Sequence, residues 1–100
     1  MKKLGAVAPE FVAEVGAALS SVGRVELVPQ LASGGIERCT YDSSAKAGYI
    51  YLRESGDFAE TIPFLESGFN VDVDHKGRIL GIEFLSRSDV FGKLRNANAL

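Results

Sequence analysis

Between Phe69 and Leu85 the chain reads FNVDVDHKGRILGIEFL, and no other stretch narrows the fold as much. Phe69, Val71 and Val73 alternate with Asn70, Asp72 and Asp74, the two-residue period of a strand with one buried and one wet face. His75, Lys76 and Gly77 break the run, and the glycine can take the positive φ of a tight turn. Arg78 to Leu85 resumes as a β-rich run in which Leu80, Ile82 and Phe84 fall in step, and these are expected to face the same core as Val71 and Val73. The stretch is a hairpin with acids on its wet side.

Something must cover the oily side, and the N-terminal third offers a helix. Pro9 suits a first helical turn because its missing N–H has no intrahelical partner there, and Glu10 places negative charge where the helix dipole favours it. Phe11, Val12, Val15, Ala18, Leu19 and Val22 recur at three- and four-residue spacing, with Gly23 as the stop. Gly16 weakens this helix by about 1 kcal/mol relative to alanine, so it depends on packing. Arg24 to Val28 is expected to be a short strand that Pro29 ends or marks as an edge, and Gln30 to Gly35 a connector. Ser33, Gly34 and Gly35 lack the spacing of a phosphate loop.

From Ile36 onward β signals dominate: Ile36 to Asp42, Ala47 to Glu54, Phe58 to Ile62, then the hairpin. Turn-forming residues occupy Asp42 to Lys46, Ser55 to Asp57 and Pro63 to Gly68. Gaps this short favour antiparallel neighbours, because a parallel crossover needs about a dozen residues or more. Ser86, Ser88 and Asp89 offer capping chemistry ahead of Val90, Phe91 and Leu94, so a short helix should close the chain. The expected fold is α+β: an antiparallel β-meander with the N-terminal helix packed on one face and a short C-terminal helix. Residues 1–100 are read as one domain, with 1–35 a helix-plus-strand extension and 36–96 the β core. The core is expected to contain Phe11, Val15, Leu19, Ile50, Leu52, Ile62, Val71, Val73, Leu80, Ile82 and Phe84.

Composition removes several function classes. A net charge of −2 and a pI near 5.3 give no basic footprint for nucleic acid. Pro9, Glu10 and Glu14 interrupt any apolar run long enough for a signal core, and nothing approaches a membrane span. Cys39 is the single cysteine, so no intrachain disulfide forms, and a cytoplasmic location is expected.

The segments YDSSAKAGYIYL from Tyr41 and ETIPFLESGFNVDVDHKGRILGIEFL from Glu60 carry a resemblance. The ordered features are Tyr41 and Asp42, Tyr49 and Ile50, Thr61, Val71 to Asp74 with Gly77, and Gly81 to Glu83. In these the chain resembles the small bacterial domain-of-unknown-function family 2283 over about residues 36–96. Lys46, Gly48 and His75 depart from the family pattern, and Gly48 stands where a leucine is usual, which removes a large core side chain. The resemblance implies no established activity. It hints at small partners, sometimes in arrangements similar to toxin–antitoxin pairs.

Two chemistries fit the residues. Tyr49, Tyr51 and Arg53 share one strand face, and tyrosine and arginine combine large contact area with polar tips, so this face is a candidate partner surface, with a solvated sheet face or the seat of the N-terminal helix as the other readings. Asp72, Asp74 and His75, with Glu83 and Asp42 as further members, are the candidate metal or acid–base set, against the plainer reading of an acidic strand running into a polar turn. Cys39 lacks a neighbouring base, which favours a structural thiol. The expected function is a non-enzymatic interaction module that binds a small protein partner or itself as a homo-oligomer, antitoxin-like in one version, with no cofactor, nucleic acid or membrane. The alternative is a small metal- or ligand-dependent enzyme using the acidic strand face.

Overall fold

The computed structural model describes residues 1–54 and 57–100. Ser55 and Gly56, in the turn expected between the second and third strands, lie outside the described residues. Five antiparallel strands form one sheet: β1 (Arg38–Asp42), β2 (Ala47–Tyr51), β3 (Phe58–Phe64), β4 (Phe69–Asp74) and β5 (Ile79–Leu85). Helices α1 (Leu4–Val7), α2 (Pro9–Ser21) and α3 (Val28–Ser33) precede the sheet, and α4 (Ser88–Asn96) closes the chain, so the fold class is α+β. Among the described residues no helix is long and apolar enough to cross a membrane.

The hairpin forms as its rhythm demands. Phe69, Val71 and Val73 are buried, and Gly77 makes the turn with φ at +75°. Its β5 strand differs from expectation at one residue. Asp72 lies opposite Gly81 while Val73 lies opposite Ile79, so Leu80 is the extra residue of a β-bulge. The bulge moves Leu80 out of the core to the other face, and Ile79, only 1% exposed, takes the buried place. Leu52 and Ile62 are half-buried at the rim of the core, and apart from Leu80 the other expected core residues are buried within it.

Strand order is β1-β2-β5-β4-β3, so the sheet is not a simple meander. β3, β4 and β5 follow one another, but β2 pairs with β5 rather than β3. Pro63, expected in a turn, lies in β3, where an edge position leaves its missing N–H without consequence.

Arg24 to Val28 is not a strand. Val25–Leu27 is a 3-10 turn leading directly into α3, and Pro29 sits in that helix's first turn instead of ending a strand. Leu27 and Leu31, four residues apart, are fully buried while Val25 is exposed, which is helical spacing. The expected connector is therefore mostly helix. Gln30 replaces a missing strand neighbour: its Oε1 accepts from Ile79 N at 2.8 Å and its Nε2 donates to Gly77 O at 3.0 Å.

All helices contribute to one core on one side of the sheet. Phe11 of α2 meets Phe69 edge-on at 5.6 Å, and Phe91 of α4 covers Tyr41 of β1 at 4.2 Å. No side-chain hydrogen bond caps α4; Arg87 holds the cap position and Asp89 the first turn. Arg87 also binds Glu14 of α2 at 2.6 Å, Asp89 at 2.9 Å and Ser67 O at 2.8 Å, which ties both helices to the β3–β4 connection.

Candidate functional site: the bare face of the sheet

With the helices on one side, the alternation of each strand leaves the opposite face uncovered. Tyr49 and Tyr51 of β2 stand on it with rings 4.5 Å apart, and the Arg38 guanidinium of β1 lies 3.7 Å from the Tyr51 ring centre. Arg38 Nε also donates to Glu54 at 2.9 Å.

The centre of this face is a hydrogen-bonded relay across four strands. The Tyr49 hydroxyl donates to Asp72 Oδ2 at 2.7 Å, and the Thr61 hydroxyl donates to Asp72 Oδ1 at 2.6 Å. Tyr49 is on β2 and Asp72 on β4, so the ring must cross β5. It does so over Gly81: a Cβ there would collide with Tyr49 Cε1 and lie 2.7 Å from Cζ. Burial pushes the Tyr49 phenol well up, and its bond to Asp72 adds to the effect, so this hydroxyl stays a donor at any ordinary pH.

Beside the relay, Asn70 Nδ2 donates to Glu83 Oε1 at 2.9 Å. A groove of about 350 Å³ runs over Tyr49, Tyr51, Arg53, Phe58, Asp72 and Leu80. The three residues expected to form a partner surface therefore do share one groove. Phe58 and Leu80 are its apolar members, and Phe58 is 57% exposed.

The proposed metal or acid–base set does not come together. Asp72 is engaged by Tyr49 and Thr61, and Glu83 by Asn70. Asp74 folds into the hairpin turn, where Oδ1 accepts from Lys76 N at 2.9 Å and Arg78 N at 2.8 Å, and Oδ2 from Arg78 Nε at 2.8 Å. Burial alone would raise its pKa, but the Arg78 and Lys76 donors outweigh burial and hold it below the ordinary carboxylate range. His75 is exposed in the turn, and Asp42 accepts from Ser44 N at 2.9 Å. Among the described residues no three His, Cys, Asp or Glu side chains are placed to hold a metal ion. Cys39 is half-buried, and burial pushes its thiol up to about 11, away from nucleophilic use.

Thr61, Gly81, Phe58 and Leu80 were not read from the sequence as site residues. One signal was present: a glycine inside a strand often marks close approach by another group, and Gly81 is that case.

An α+β domain with one helix-covered and one bare sheet face, the bare face carrying a tyrosine–aspartate–threonine relay, is the class that these features define. The family model described as "Protein of unknown function (DUF2283)" matches residues 38–88, and the chain belongs to that family. The matched segment contains every residue of the relay, Gly81 beneath the Tyr49 ring, and Gly48, over which the Phe84 ring lies on the covered face. No curated protein and no solved structure gives a significant match.

Proposed function

We propose that this chain is a non-enzymatic protein-interaction module of the cytoplasm that receives a small protein partner on the bare face of its sheet. The observation that supports this reading is the groove lined by Tyr49, Tyr51, Arg53, Phe58 and Leu80. Tyrosine, phenylalanine and arginine are the types enriched where proteins meet, because each removes much apolar surface from water while keeping a polar or planar handle. Tyr49 and Thr61 hold Asp72 in place, so part of the polar pattern is fixed before a partner arrives. The partner chemistry that fits is an apolar or aromatic anchor for Phe58 and Leu80, flanked by mixed charge to meet Arg53 and Asp72. An antitoxin-like role is the narrower version of the same reading.

The test is affinity capture from the native cells with the wild-type chain, followed by Tyr51→Ala and Leu80→Glu, with Lys93→Ala on the helical side as control. Stoichiometric recovery of one protein with wild type and control, lost with both face variants, is the expected result. Recovery that is lost with the control and kept with the face variants would overturn the reading, as would no stoichiometric partner at all. Co-expression with the product of an adjacent gene that arrests growth tests the antitoxin version, for which relief of the arrest is expected.

A further inference from the structure

The sheet has two edges, and they are built differently. β3 carries Pro63, which has no N–H to offer, and a register shift between Phe58 and Glu60 that leaves Ala59 as an extra residue. Both devices blunt an edge against further pairing. β1 has neither. Its five residues Arg38–Asp42 pair with β2 in unbroken register. Among the described residues, no backbone group of Arg38 to Asp42 bonds anything other than β2. The outward half of its N–H and C=O groups is therefore a template for another strand.

We propose that β1 pairs antiparallel with β1 of a second copy of this chain, about a two-fold axis passing beside Thr40. The sequence of the strand, Arg-Cys-Thr-Tyr-Asp, is complementary to itself under that operation. Arg38 lies opposite Asp42 of the second copy at both ends, Thr40 opposite Thr40, and Cys39 opposite Tyr41. Opposite charges and threonine pairs are favourable cross-strand neighbours. A two-fold axis relating antiparallel edges stands perpendicular to the sheet, so side chains facing each other across it must project to the same side. Slides that respect this and keep the strands overlapped lose the charge pairing, and only the register centred on Thr40 covers the whole strand.

Arg38 can serve this contact without leaving its place over the Tyr51 ring: its side chain is 48% exposed, only its Nε is engaged by Glu54 among the described residues, and Glu54 is itself 51% exposed, so the ion pair contributes little. The product is a continuous ten-stranded sheet with all helices on one side and both bare faces on the other. This contact uses a strand edge, not the groove, and does not rest on the partner-binding reading. One consequence links them: the dimer would present two grooves in one plane, so a partner with two epitopes would gain avidity.

A five-residue strand pair is a small interface, so association in the range of about 10–100 μM is expected. Sedimentation equilibrium from low to high micromolar concentration should show monomer passing into dimer. Arg38→Asp alone sets like charges opposite each other at both ends, and so does Asp42→Arg alone, and each should weaken dimerisation about tenfold or more. Mixing the two single variants restores both attractive pairs, so a heterodimer should reappear, and the double variant should dimerise as wild type does. Far-UV circular dichroism establishes that each variant is folded. Independently of those charges, Thr40→Cys in a Cys39→Ser background should cross-link to dimer on oxidation. A chain that stays monomeric, a mixture that fails to restore the dimer, or an absent cross-link would each overturn the proposal.

Discussion

The relay on the bare face makes Gly81 a position at which a single added carbon atom meets both a ring and a backbone oxygen. Gly81→Ala sets a Cβ against the Tyr49 ring, and it would also lie 2.5 Å from Ile50 O, a backbone atom of the neighbouring strand. The ring can swing away only by breaking its 2.7 Å bond to Asp72, while the carbonyl can yield only if β2 and β5 move apart. Loss of a hydrogen bond to a carboxylate costs about 1.5–3 kcal/mol, and the lower end applies because Thr61 still serves Asp72. Forcing a methyl group into a filled site adds about 1–3 kcal/mol. The total is about 2.5–4.5 kcal/mol, survivable against a stability of about 5–15 kcal/mol.

Two causes are thus separable by a double-mutant cycle with Tyr49→Ala, read by urea melts followed by circular dichroism. If the ring lies over the glycine, Gly81→Ala costs about 1–2 kcal/mol less in the Tyr49→Ala background, because only the carbonyl conflict remains. Additive costs, within about 0.5 kcal/mol, would refute the crossing of β5 by Tyr49.

Three further outcomes follow from the same geometry. On the covered face a Cβ at Gly48 would collide with the Phe84 ring, so Gly48→Leu should unfold or severely destabilise the chain while Gly48→Leu with Phe84→Ala recovers much of the loss in thermal melts. The Asp74 carboxyl is held below its ordinary 3.8, so its contribution is fully present above the unfolded value and is lost as pH falls through the folded one. Asp74→Asn should therefore lower stability at neutral pH and flatten its decline below about pH 4, and parallel declines in urea melts across pH would count against this. Arg87→Met removes the bonds to Glu14, Asp89 and Ser67 O together and should cost about 1–3 kcal/mol, with Glu14→Gln costing far less when measured alone.

The hairpin was legible because its alternation and Gly77 speak at the same scale, a few residues. Leu80 was misplaced because a bulge absorbs one residue, and nothing in ILGIEFL marks which residue is extra. The helix at Val28–Ser33 was missed because VELVP reads as a short β run ended by proline; Leu27 and Leu31 show their four-residue spacing only when the window is carried past Pro29. Tyr49, Tyr51 and Arg53 were placed on one face by alternation alone. The relay was not visible, since Tyr49 and Asp72 stand 23 residues apart and meet only through the β2–β5 pairing. Asp72 and Asp74, two apart, were expected on one wet face, but Asp74 turns into the hairpin loop, where backbone donors outcompete water.

That β2–β5 pairing is the least local contact in the sheet, and it joins the β1–β2 hairpin to the β3–β4–β5 meander. Short turns fix the register of the other pairs, but no turn connects β2 to β5. Two reciprocal features fix it instead. On the covered face the Phe84 ring of β5 lies over Gly48 of β2; on the bare face the Tyr49 ring of β2 lies over Gly81 of β5. A slip of one residue would set each ring against a side chain instead of a glycine and would turn the two faces over. Gly48, where the resemblance leads one to expect a leucine, is therefore not a hole in the core. Phe84 fills it, and the same ring stacks on Tyr41, so the missing leucine is exchanged for an aromatic bridge reaching from β5 to β1.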